Sequence, residues 1–216
     1  SYGGWAVEEA LSRFQANKMV ARLTDAEGDI LQVVDERRIT LDYYKNGLIH
    51  FVAPVSLMAA AVMGVGKDDP LDMAQVEQLF EMQVFLFRYE FTTDPEVTVE
   101  ELQRRNLDEL VTYGALSRDT NGTLHVADPR RVGELAGITR NFRESYLLAL
   151  SAAKTLRSRD IAARLMPERV YGVGKGLLAV DEISRPEALN MANLKNAVRA
   201  FREEGVLQFR VGGGGV

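Results

Sequence analysis

Cysteine is missing from this 216-residue chain, and with it go a disulfide framework, a thiolate zinc site, an iron–sulfur cluster and a cysteine nucleophile. Histidine is almost as scarce, His50 and His125 being the only two. A histidine-rich metal site is therefore out of reach, and neither an HExxH helix nor an EF-hand loop is written in the sequence. No GxSxG elbow offers a serine nucleophile. The opening SYGGWAVEEALSRF lacks a basic segment followed by an apolar run, so it does not read as a secretory leader. Positive charge is also short. The net charge of −5 argues against a nucleic-acid partner, because such binding draws much of its affinity from neutralised phosphates.

What is present describes a globular chain. Hydrophobic residues make up 46% and charged residues 26%, close to the soluble average. The length suffices to bury a core without help from metal or cofactor, and none is expected. Charge is spread unevenly: acidic residues dominate between Lys67 and Glu109, basic ones from Arg130 to Arg169, leaving one end suited to anions. Residues 47–66 carry no Asp, Glu, Lys or Arg, a length that meets the requirement for a membrane span. Within that run His50, Pro54, Ser56 and the small residues Ala59 to Ala61 keep it only moderately apolar. It reads as a core helix, kinked or broken near His50 to Ala53 by the proline, which removes a backbone donor and crowds the preceding turn.

Periodicity and punctuation place the other elements. Val7, Leu11 and Phe14 share a helical face, and a hairpin turns around Asp25 to Asp29. Asp69 and Pro70 suit the start of a helix reaching about Phe91, with Met73, Val76, Phe80, Phe87 and Phe91 as its inner stripe. Thr98 to Glu101 forms a capping-box pattern for a helix that Gly114 stops. Asn121-Gly122 then turns a second hairpin.

The order repeats. ILQVVDERR at 30–38 and TLHVADPRR at 123–131 align without a gap on Leu, Val, Asp, Arg and Arg, and LKNAVRAFREEGVLQFRV offers a partial third copy with a strand-like end. Helix, hairpin, helix is winged-helix logic. The expected fold is mainly α, with tandem winged-helix-like units and small β hairpins packed as a helical domain: residues 1–113 as one unit, 114–216 as a second with the partial third repeat.

Chemistry is harder to find. His50 reads as a satisfied core histidine and His125 as an outward residue of its hairpin. Gly172-Val-Gly-Lys-Gly176 lacks the spacing and the Ser or Thr of a P-loop and reads as a flexible turn. Glu100-Glu101 and Glu203-Glu204 read as helix-surface pairs.

LDYYKNGLIHFVAPVSL, following the DERR turn, and RPEALNMANLKNAVRAFREEGVL at 185–207 resemble the C-terminal region of the bacterial and mitochondrial glycerol-3-phosphate acyltransferases, over residues 5–210. The resemblance implies transfer of an acyl group from acyl-CoA or acyl carrier protein to the first hydroxyl of glycerol 3-phosphate at a membrane surface, as the entry to phospholipid synthesis. That family's His-Asp motif, HxxxxD, is absent: Val55 stands five after His50 and Arg130 five after His125. The expectation is a non-catalytic C-terminal domain, inactive alone, with the upstream acyltransferase domain as its partner. It would lie on the cytoplasmic side of a membrane, peripheral or monotopic. Tyr43, Tyr44, Lys45, Asn46 and His50 are candidates for the domain interface. Arg130, Arg131, Arg140, Arg143 and Arg157 are candidates for phosphate or anionic lipid. The competing reading is a tandem winged-helix module that binds nucleic acid or protein.

Overall fold

In the computed structural model, residues 2–25, 28–66, 70–92, 94–156 and 162–208 are described, and they divide into two units, Ser1–His50 and Phe51–Val216. The first unit opens with α1 (Tyr2–Ala16) and a hairpin of β1 (Val20–Asp25) and β2 (Gly28–Val33). Lys18 adopts a left-handed φ of 53° and ends the helix, so that the Met19 N–H can bond back to the Phe14 carbonyl at 2.9 Å. A 3-10 turn at Asp35–Arg37 leads into α2 (Arg38–Val65), in which the division between the units falls.

The second unit holds the rest of α2, then α3 (Met73–Leu86), α4 (Val99–Thr112), a hairpin of β3 (Leu116–Arg118) and β4 (Leu124–Val126), and four further helices. These are α5 (Pro129–Gly137), α6 (Arg140–Leu156), α7 (Met166–Ala179) and α8 (Met191–Glu203). The chain is mainly helical, with only two small antiparallel strand pairs among the described residues.

Three local expectations are corrected. Of the kink or break expected near His50 to Ala53, the break does not occur, since α2 continues through Pro54. The proline forfeits one hydrogen bond, to the His50 carbonyl, but Ala53, Val55 and the run Leu57 to Val62 are all buried, and packing of that kind, more than propensity, holds helices together. The cap of α3 is Asp72, whose carboxylate accepts the Gln75 N–H at 3.2 Å and the Gln75 side-chain amide at 2.7 Å. Residue 69, expected in that role, lies outside the described residues. The glycines of Gly172 to Gly176 form no turn but sit inside α7.

The caps and turns of the second copy follow the sequence closely. Thr98 Oγ1 accepts the Glu101 N–H at 3.2 Å, Gly114 ends α4 at φ 68°, and the Asp119 carboxylate takes the N–H groups of Asn121 and Thr123 at 2.8 Å each. Asp128 caps α5 through the N–H groups of Arg130 and Arg131, with Pro129 in the first turn.

The two hairpins share one register. Val20 faces Val33 as Leu116 faces Val126, and Arg22 faces Leu31 as Arg118 faces Leu124. The joint before each hairpin is also the same: Met19 N–H to Phe14 and Val34 N–H to Met19 in one, Ala115 N–H to Leu110 and Ala127 N–H to Ala115 in the other. In the third copy, α8 also ends on a left-handed glycine, Gly205 at φ 69°. There the likeness stops, because Val206–Gln208 form no strand; the end of the strand-like run lies outside the described residues.

The core of the second unit is knit by an aromatic chain. Phe87 meets Tyr146 edge-on at 4.6 Å, Phe91 meets Phe142 at 4.9 Å, and Tyr146 meets Phe201 at 5.7 Å, binding the turn after α3, which ends at Leu86 and not at the expected Phe91, to α6 and α8. A buried polar contact fixes α2 to the corner between α5 and α6: Ser56 Oγ lies 2.9 Å from Thr139 Oγ1 and accepts the Thr139 N–H at 3.2 Å.

Candidate functional site

Among the described residues a dense polar cluster lies at the edge of the aromatic chain, where the turn after α3 meets the last turns of α8. Arg88 reaches Glu203 and Glu204, each at 3.0 Å, and donates to the Phe85 carbonyl at 2.7 Å. The Tyr89 hydroxyl donates to Glu203, and Arg199 reaches the same carboxylate at 3.0 Å. The Tyr89 ring lies under both guanidinium groups, 4.9 Å from Arg88 and 4.0 Å from Arg199. The Tyr89 hydrogen bond, followed by that from Arg199, holds the Glu203 carboxyl down at about 2. This network is a surface latch between two chain segments, and exposed ion pairs of this kind are individually weak.

Behind the latch lies a less comfortable pair, Glu90 and Tyr146. Tyr146 is buried, and neither its hydroxyl nor Glu90 Oε1 reaches hydrogen-bond geometry with any described group, although the two lie close enough to shift each other's titration. Burial pushes the Glu90 carboxyl up, against the opposing pull of Asn196 and Tyr146. It also pushes the Tyr146 phenol up, with the Glu90 charge adding to the shift. A carboxyl raised by folding costs stability above its folded pKa, and that cost disappears below the unfolded value of about 4.3. Glu90→Gln is therefore expected to melt at a higher temperature than the parent at pH 7, with the gap closing as pH falls toward about 4. A gap independent of pH over that range would refute a strained carboxylate.

The basic candidates are mostly engaged close to home. Arg130 pairs with Glu134 at 2.8 Å and Arg131 with Asp128 at 3.2 Å, in the first turn of α5. Arg131 also donates to the Tyr113 carbonyl at 2.6 Å. At the start of α6, Arg140 pairs with Glu144 at 2.8 Å, while Arg143 donates to the Ala136 carbonyl at 2.6 Å and has no carboxylate partner among the described residues. Burial, then repulsion from Arg140, lowers the Arg143 guanidinium from its usual range. Arg157 lies outside the described residues. So do the side chains of Tyr43, Tyr44, Lys45 and Asn46, whose backbone belongs to α2. His50, on the same helix, is half-buried.

One histidine does stand near an acid. His125 Nε2 is 3.7 Å from Asp119 Oδ2, beyond hydrogen-bond distance, and the carboxylate is committed to the backbone of its own turn. Those backbone hydrogen bonds, chiefly from Thr123, depress the Asp119 carboxyl. The pair shapes a hairpin tip.

An apolar hollow opens on the second unit, lined by Ala53, Pro54, Leu57, Val84, Phe87 and Leu102. The surface also exposes Phe51, Met82 and Phe85. Residues 47–65 are long and apolar enough to cross a membrane by length and composition, yet 56% of that window is buried within the fold. Among the described residues no cluster of His, Asp and Glu is placed to hold a metal.

The sequence pattern did not single out Glu90 and Tyr146. A signal was available: Glu90 stands three residues after Phe87 and one before Phe91, a spacing that puts an acid on the apolar stripe if the helix continues.

Duplicated helix–hairpin units define a mainly helical region with small antiparallel hairpins. The chain belongs to the family described as the glycerol-3-phosphate acyltransferase C-terminal region, which matches residues 3–210.

Proposed function

We propose that this chain is the non-catalytic C-terminal region of a glycerol-3-phosphate 1-O-acyltransferase, which supports the enzyme's acyltransferase region and helps to hold it at the cytoplasmic face of a membrane. The observation that carries the reading is the family match over residues 3–210 in a chain where neither histidine has an aspartate five residues on. Neither histidine therefore matches the His-Asp pair, HxxxxD, in which the histidine would take the hydroxyl proton of glycerol 3-phosphate. The test supplies the isolated chain with glycerol 3-phosphate and palmitoyl-CoA. No turnover is expected, and robust acyl transfer would overturn the proposal.

Attachment to a membrane draws its support from the basic stretch Arg130 to Arg169 and from the exposed Phe51, Met82 and Phe85. Sedimentation with vesicles should show binding that grows with anionic lipid and weakens with salt. Equal recovery with neutral and anionic vesicles at every salt concentration would remove that part of the proposal.

A further inference from the structure

The two hairpins share a register but not a fate. In the second, the Leu124 carbonyl accepts the N–H of Leu71 at 3.1 Å, from the extended stretch that precedes α3, and both Leu71 and Leu124 are buried. A segment of the same polypeptide, earlier in the chain, thus bonds to that edge through one backbone hydrogen bond. In the first hairpin the equivalent residue is Leu31, opposite Arg22 as Leu124 is opposite Arg118. No hydrogen bond from outside the hairpin reaches Leu31 among the described residues, and Leu31 is 44% exposed, with Leu23 and Ile30 at 50% and 53%.

Alternation along the ladder fixes where the free groups point. Because the Val34 N–H bonds to Met19, every second residue of β2 turns its N–H and C=O inward, and Leu31 falls among those that turn outward. The edge therefore offers a donor and an acceptor to an incoming strand. Among the residues of the first unit whose burial is described, only Ile49 is buried, and a unit of this size gains stability when its apolar surface is covered.

We propose that the outer edge of β2, with the apolar side chains of Leu23, Ile30 and Leu31 beside it, receives an extended apolar segment of the acyltransferase region that precedes this one in the same polypeptide, added as a third strand. The inference rests on the function proposed above. The second copy supplies the precedent for such an occupant, since there Leu71, which precedes the hairpin in the same chain, donates its N–H to the equivalent carbonyl and is buried with Leu124.

The test uses the full-length acyltransferase, with a photoreactive benzoyl-phenylalanine placed in turn at Ile30, Leu31, Met82 and Phe85, and the crosslinked peptides read by mass spectrometry. Ile30 and Leu31 should crosslink to one peptide of the preceding region. In a Leu31→Pro enzyme, which loses the outward N–H but no bond of the inner ladder, the yield from Ile30 should fall by about tenfold. Circular dichroism of that variant should match the parent; if it does not, Leu31→Asp, which keeps the N–H but sets a charge against the incoming apolar side chain, should lower the Ile30 yield instead. Crosslinks from Ile30 and Leu31 to lipid, to a second copy, to residues 51–216, or to nothing would overturn the proposal. If Met82 or Phe85 still reaches the preceding region, only the edge is refuted. If no position reaches it, the supporting role proposed above falls as well.

Discussion

Truncating Phe80 to alanine should cost about 3–5 kcal/mol and lower the melting temperature by roughly 6–20 °C. The ring is fully buried, on the face of α3 that also buries Val76. Removing it forfeits the transfer energy of the side chain and leaves a cavity that a close-packed interior refills only in part. Phe85, five residues along the same helix, is the control. It is half exposed, and its ring lies 4.3 Å from the Arg88 guanidinium, so its loss should cost under about 1 kcal/mol. Thermal and urea unfolding of both variants measures the difference. Equal losses would mean that α3 does not face the core in the register described.

Gly174→Val should cost about 2–3 kcal/mol, against the usual expectation for a helical glycine. Replacing glycine by alanine inside a helix ordinarily gains up to about 1 kcal/mol. Here an added Cβ would stand 2.5 Å from Leu148 Cδ2 and 2.5 Å from Leu189 Cδ2. Leu148 is fully buried and has little room to withdraw, so overpacking wins over propensity. The neighbouring glycines supply the comparison: a Cβ at Gly172 or Gly176 meets nothing within 4 Å, and Gly172→Ala or Gly176→Ala should be neutral or stabilising by up to about 1 kcal/mol. The three variants together separate close approach from backbone freedom. If all three behaved alike in thermal unfolding, the close contact of α7 with Leu148 and Leu189 would be disproved.

Signals that act within a few residues were legible in the sequence. Thr98 caps its helix, Gly114 stops it, and Asn121-Gly122 turns its hairpin, because each demands a local backbone state that few residue types supply. The duplication was legible too, since Leu31 and Leu124, or Asp35 and Asp128, hold matching places along the chain. Signals settled by packing were not. Pro54 reads as a kink or break, yet the helix runs on through it among buried neighbours; Gly172 to Gly176 reads as a turn, yet it lies inside α7, where Gly174 closely approaches Leu148 and Leu189. Of the candidate site, Arg130, Arg131 and Arg140 are placed against carboxylates three or four residues away, the spacing of ordinary helix-surface pairs. The buried meeting of Glu90 with Tyr146 joins residues 56 positions apart in the chain, which no local pattern encodes.

Lys18 carries a consequence of another kind. Where the second and third copies end their helices on Gly114 and Gly205, the first does so on a lysine at φ 53°, a conformation that costs an L-residue about 1 kcal/mol. That cost orders the two helix–hairpin joints by ease of opening: the first should separate at lower free energy than the second, and amide exchange is expected to proceed there first. A duplicated unit has in this way become the loose end of its own array.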